Sequence, residues 1–168
     1  MLLYQATDAA AAGRAAEAEG LFTQALAAEV EVSTDPAHTP DAKEAKREGK
    51  MLDAWIDLHR ARLFLDQGSD DQAQAAFDRC RKVLGSYGFW FEEDLKVIES
   101  RLDIRRGDFD KAFKRLNKGI LRRGTLDSTE SFVLLAIAAR ATGHGEELHK
   151  AVETAKENGA DLALLESP

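Results

Sequence analysis

His144 and His149 stand five residues apart near the C-terminal end of the sequence. A zinc pair of the His-Glu-x-x-His type needs its histidines four apart on one helix face, and a third donor besides. Neither condition is met, so no metal site is expected. His38 and His59 are isolated and read as ordinary loop or helix residues. Cys80 is the single cysteine, which leaves no partner for an internal disulfide or a thiolate zinc site. Its neighbours give the pattern of a buried structural thiol rather than a reactive one. There is no Gly-x-Gly-x-x-Gly and no Gly-x-x-x-x-Gly-Lys-Ser/Thr phosphate loop. Carboxylates are plentiful, yet no spacing singles out an acid/base pair. The residues argue for no catalytic centre, no cofactor and a non-enzymatic role.

The elements that would carry any site are helical. The chain has 168 residues, enough for one domain to bury roughly 70% of its unfolded surface. Alanine supplies 28 residues, while only Pro36 and Pro40 interrupt the interior, a balance that favours helices over sheet. No apolar run approaches ~18 residues, so a membrane span is not expected, and the N-terminal residues lack a signal-peptide pattern. The expected location is cytoplasmic. Net charge is −7, which gives no generic affinity for nucleic acid. Residues 79–123 nevertheless hold 13 Lys/Arg against 7 Asp/Glu, so this stretch is +6 and the remainder −13. Two readings stay open: solvated helix faces with interspersed ion pairs, or a basic zone for an acidic partner.

A register repeats along the chain. Gly13, Gly68, Gly107 and Gly143 each separate two amphipathic stretches. Seven residues before them stand Ala6, Ala61, Ser100 and Ala136; five after stand Ala18, Ala73, Ala112 and Leu148. Nine after come Phe22, Phe77, Leu116 and Val152, and twelve after come Ala25, Cys80, Gly119 and Ala155. Glycine permits the left-handed backbone that ends one helix and turns the chain into the next. Small residues on both arms let antiparallel helices approach closely, and the large residue fills the space beside the contact. One such hairpin leaves an apolar face exposed, so hairpins must stack.

The segments Ala15-Ala-Glu-Ala-Glu-Gly-Leu-Phe-Thr-Gln-Ala-Leu26, Gly68-Ser-Asp-Asp-Gln-Ala-Gln-Ala-Ala-Phe-Asp-Arg-Cys80 and Gly107-Asp-Phe-Asp-Lys-Ala-Phe-Lys-Arg-Leu-Asn-Lys-Gly-Ile120 carry a resemblance to the tetratricopeptide repeat (TPR) family. It covers the chain apart from roughly 31–45. The glycines are 55, 39 and 36 residues apart, against a usual period of about 34. Asp103 stands where the family prefers an aromatic, and the prolines that commonly close repeats are missing. The resemblance implies an all-α fold of about eight helices, whose antiparallel pairs stack into a TPR-like right-handed superhelix. We expect one domain over 1–168, with repeats near 1–31, 41–86, 89–123 and 127–160 and a loop insertion at 32–40. Helices are expected near 2–12, 15–31, 41–67, 70–85, 91–106, 109–122, 128–142 and 145–158. Asp41 is a candidate N-cap for the third of these, and Asp127 or Ser128 for the seventh. The tail around Leu162–Leu165 begins another helix or ends the chain short of a full cap. With Met1 already inside a repeat helix, the ends either pack on another subunit or belong to a longer protein.

The resemblance also implies that the first helix of each pair lines a concave groove. Six residues before the glycines stand Thr7, Arg62, Arg101 and Ile137; two before stand Ala11, Asp66, Arg105 and Ala141. Arg62, Arg101, Arg105 and, nearby, Arg140 then form a basic strip suited to carboxylates of an acidic or C-terminal peptide. Trp55, Leu58, Val97 and Val133 on the same helices are candidates for apolar pockets. The bland alternative is that these arginines pair with acidic neighbours such as Asp66 and stabilise the stack. Tyr87, Phe89, Trp90 and Phe91 form the densest aromatic cluster, either packing at a junction or anchoring a partner. The Asn-and-Lys clamp that some TPR domains use is not matched.

The sequence thus points to a protein–protein interaction adaptor that binds an extended, acidic peptide segment of a partner. An alternative is a bacterial secretion-type chaperone or regulatory TPR protein, a homo-oligomer dimerising through its first helices, where Ala9 to Ala12 are small. RNA binding through the +6 zone is the weakest of the three, because acidic residues interleave it.

Overall fold

The computed structural model describes residues 2–34, 42–86, 91–123 and 126–160. Regular structure in these residues is entirely helical: α1 (Leu2–Ala11), α2 (Ala15–Thr34), α3 (Ala42–Asp66), α4 (Asp70–Gly85), α5 (Glu92–Arg105), α6 (Phe109–Asn117), α7 (Thr129–Thr142) and α8 (Gly145–Glu157). The all-α fold with eight helices expected from the sequence is therefore present. Two boundaries differ from expectation. α2 continues to Thr34, and after Asn117 the chain widens into a π-helical segment, Lys118–Arg123. Asp41 and the tail beyond Ala160 lie outside the described residues.

Each pair is closed by the same turn. Gly13, Gly68, Gly107 and Gly143 have φ of 71°, 72°, 79° and 77°, a region that a Cβ makes costly. The residue after each glycine donates its N–H to the carbonyl five back: Arg14 to Ala9, Ser69 to Phe64, and Asp108 to Asp103 at 2.8 Å, and His144 to Ala139 at 2.9 Å. This is the Schellman closure, which satisfies carbonyls that a helix end otherwise leaves bare. Gly159 ends α8 in the same way, with φ 77° and Ala160 N–H on Ala155 O at 2.9 Å. Ser128 caps α7, its side chain accepting from the Ser131 N–H.

The small-residue register is the packing register. Ala6, Ala61, Ser100 and Ala136 are completely buried, as are Ala18, Ala73 and Ala112. Phe22, Phe77 and Leu116 fill the space beside them, and Cys80 and Ala155 are closed off as well. In the fourth hairpin, Leu148 and Val152 are only partly buried.

The chain divides into two compact units, residues 1–88 and 89–168. In the first, α1 pairs with α2 and α3 with α4, while α2 also packs on α3. Ala6, Ala9, Ala18, Phe22, Ile56 and Leu63 form a core there. In the second, α5 pairs with α6 and α7 with α8; α7 packs on α6 and also touches α5. Its core runs from Val97 through Phe113, Leu116 and Leu126 to Leu135 and Ala151. No described helix is long and apolar enough to cross a membrane.

Candidate partner-binding face

The contact of α7 with both α5 and α6 sets two first-of-pair helices side by side in the second unit. Positions six and two before the turn glycines lie on their accessible side. Arg101 and Ile137 are half-buried, and Arg105 and Ala141 are exposed. Arg101 and Arg105 are one helical turn apart and so share a face. Arg140 is exposed in the last turn of α7, where a cation also complements the helix dipole. Arg101 reaches across to α7, its Nη1 lying 3.3 Å from Glu130 Oε1. The strip residue Arg101 is therefore in part a staple between neighbouring first helices, as the pairing alternative holds.

In the first unit Arg62 takes the corresponding place on α3 and is half-buried. It stands near His59, which lies between the Phe22 ring, stacked at 6.2 Å, and the edge of Trp55 at 4.0 Å. Burial, helped by the Arg62 cation, lowers the His59 pKa to about 4. Trp55 is half-buried and packs against the α1–α2–α3 core rather than standing open.

Three of the expected pocket residues are corrected. Leu58, Val97 and Val133 are 1%, 0% and 7% exposed, so they are core and offer no apolar surface to a partner. The reason is positional. Each stands ten before its glycine, three before the small contact residue, and residues three apart on a helix share a face. Ala9, offered as part of a dimerisation surface, is likewise completely buried within its own unit. Of the aromatic cluster, Tyr87, Phe89 and Trp90 lie outside the described residues; Phe91 is half-buried at the N-cap of α5.

Other arginines serve the fold. Arg115 on α6 donates from Nη1 to Asp103 Oδ2 at 2.7 Å and to Ser100 Oγ at 3.3 Å, while its Nε lies 3.0 Å from Glu99 Oε2. Arg79 on α4 grips Asp57 on α3 with two bonds of 2.8 and 2.7 Å. Arg60 donates its Nε to Glu19 on α2 at 2.7 Å. Of these, sequence spacing could reveal only the Asp57–Arg60 neighbourhood, three apart on one helix; Arg115 and Arg79 find partners across their own hairpins, and Arg60 reaches from α3 to α2 of the preceding pair. Glu93 was also missed: its Oε1 accepts the N–H groups of Asp127 and Ser128 at 3.0 and 2.8 Å, tying α5 to the start of α7. Burial alone raises its pKa, but the bonds from Ser128 and Asp127 outweigh it and hold the carboxyl below its usual value.

Cys80, His144 and His149 are each engaged by their own surroundings. Cys80 is closed off, and burial together with Asp57 pushes its thiol up to about 12. His144 stacks on Phe113 at 3.9 Å and shares a 2.8 Å hydrogen bond with Thr142 Oγ1, while His149 pairs with Glu153. No cluster of three or more His, Cys, Asp or Glu able to hold a metal occurs among the described residues. No protein-family model, curated protein or solved structure matches the chain.

Proposed function

We propose that the chain is a TPR-like helical-repeat adaptor that binds an extended acidic segment of a partner protein on the face of its first-of-pair helices. The TPR-like superhelix expected from the sequence is part of this reading. One observation carries it: α7 packs on both members of the preceding hairpin, so first helices lie side by side, with Arg101 and Arg105 on the face they share. Guanidinium groups spaced along such a face suit a row of carboxylates better than a single one. Recognition is mainly polar, because Leu58, Val97 and Val133 are core.

The test is fluorescence anisotropy with a labelled hexaglutamate peptide and a hexaglutamine control at low salt. Arg105→Glu combined with Arg140→Glu is expected to weaken hexaglutamate binding at least about ten-fold, the equivalent of one charge-assisted contact. Binding that the double variant leaves unchanged removes the arginine face from the account.

A further inference from the structure

The joints between successive hairpins follow the glycine register as closely as the hairpins do. In the first unit α3 packs on α2, and His59, nine before Gly68, stacks on Phe22, nine after Gly13, at 6.2 Å. Beside it Arg60, eight before its glycine, bonds Glu19, six after the other. In the second unit α7 packs on α6, and Leu134, nine before Gly143, shares a core with Leu116, nine after Gly107. Two separate joints thus bring together the ninth residue before one turn glycine and the ninth after the preceding one.

Both halves of this joint stand open elsewhere in the same chain. Tyr4 is nine before Gly13 and is 78% exposed, whereas Leu134 at the same position is 8% exposed. Among the described residues Tyr4 is the one exposed large hydrophobic side chain. Val152 stands nine after Gly143 and Leu148 five after, and both are only partly buried. Their counterparts Phe22, Phe77 and Leu116, and Ala18, Ala73 and Ala112, are at most 2% exposed. A single exposed apolar residue is ordinary on a protein surface. Here the open residues are the two complementary members of a contact that the chain already makes.

We infer that both faces take a second copy of this chain: the α8 face of one copy, at Leu148 and Val152, receives the α1 face of another, at Tyr4. The contact repeats the α2–α3 joint, with the Tyr4 ring on Val152 as the His59 ring lies on Phe22. Gln5 and His149, both exposed, occupy the places of Arg60 and Glu19 and bring no like charges together. Asp8 is exposed where Leu63 is core, five before its glycine, which limits the apolar area of the α1 face. One helix laid on another with a carboxylate at its edge falls short of a standard interface, so the association is weak and reversible. The two faces differ, so the contact is heterologous, and growth passes two copies unless a ring closes. None of the arginines of the candidate partner-binding face takes part, and this inference stands or falls apart from the acidic-peptide reading.

The experiment is sedimentation velocity of the whole chain over a range of concentrations, with circular dichroism to confirm helicity. Wild type is expected to show a mass that rises with concentration past the monomer. Tyr4→Glu and Val152→Glu are each expected to weaken that association at least about ten-fold, as a charge at a central apolar contact does. Val152→Thr, close to valine in shape, reads the same face should the glutamate lower helicity. An equal mixture of Tyr4→Glu and Val152→Glu is expected to form dimers and nothing larger, because the intact α8 face of the first meets the intact α1 face of the second. Wild type that stays monomeric throughout overturns the inference. So does association that survives Tyr4→Glu, or that Tyr4→Glu abolishes while neither Val152 variant weakens it, which marks α1 pairing with itself. A mixture that stays monomeric where wild type associates overturns it as well.

Discussion

Asp103 and Arg115 meet across the α5–α6 hairpin, Oδ2 accepting from Nη1 at 2.7 Å, where a TPR-like pattern calls for an aromatic. The side chains retain only 13% and 20% exposure, and Ser100, at the small-residue contact, accepts from the same nitrogen. A polar clasp thus joins the two arms of the hairpin at this position. Removing Asp103 takes the shortest bond from Arg115 and leaves it Glu99 and Ser100. Asp103→Ala is expected to destabilise the chain by about 2–3 kcal/mol in urea unfolding. Replacing both, Asp103→Leu with Arg115→Leu, should recover most of that loss, because an apolar pair carries no desolvation cost. Additive losses in the double variant contradict the clasp.

The glycines divide by role, and alanine substitution separates them. Gly107 needs its φ of 79°, so Gly107→Ala should cost about 1–2 kcal/mol although open space surrounds it. Gly119 faces the opposite problem: a Cβ there would run into the Leu126 side chain, and overpacking costs about 1–3 kcal/mol. Gly20 lies within α2 with nothing near it, so Gly20→Ala should stabilise by about 0.5–1 kcal/mol. Thermal unfolding of the three variants checks the order; a loss in Gly20→Ala would contradict the placement of α2.

His59 makes the first unit acid-sensitive. Its folded pKa of about 4 lies below the ordinary 6.5, so between these values the unfolded chain binds a proton that the folded chain excludes. The neutral ring's contribution is complete above pH 6.5 and is lost as pH falls toward 4. At full effect the loss is about 2–3 kcal/mol, since each pH unit between the two values is worth roughly 1.4 kcal/mol and residual solvent contact relieves part of it. His59→Phe should flatten that part of the stability–pH profile. A profile unchanged by the substitution would place the histidine in water.

The hairpins were legible because glycine, small and large residues recur at fixed distances, and that register is also the packing register. Ala6, Ala61, Ser100 and Ala136 went to the core as their positions required. The accessible positions six and two before each glycine also came out half-buried or exposed wherever side chains are described. Leu58, Val97 and Val133 belong to the core instead of a groove wall, and their three-residue offset from the contact residues already places them inside. The π-helical widening at Lys118 had no sequence signal beyond Gly119, whose need for space depends on Leu126 from a later segment. Arg115, Arg79 and Glu93 found partners 12, 22 and 34 or 35 residues away, separations set by the hairpins rather than by any helical period.

Amide chemical-shift mapping with hexaglutamate tests the arginine face most directly, since it reports where the peptide lies. The account expects the largest shifts around Arg101–Arg105 on α5 and Ile137–Ala141 on α7. Shifts confined to the outer basic residues of α6, around Lys111 and Lys114, with α5 and α7 unmoved, would contradict it.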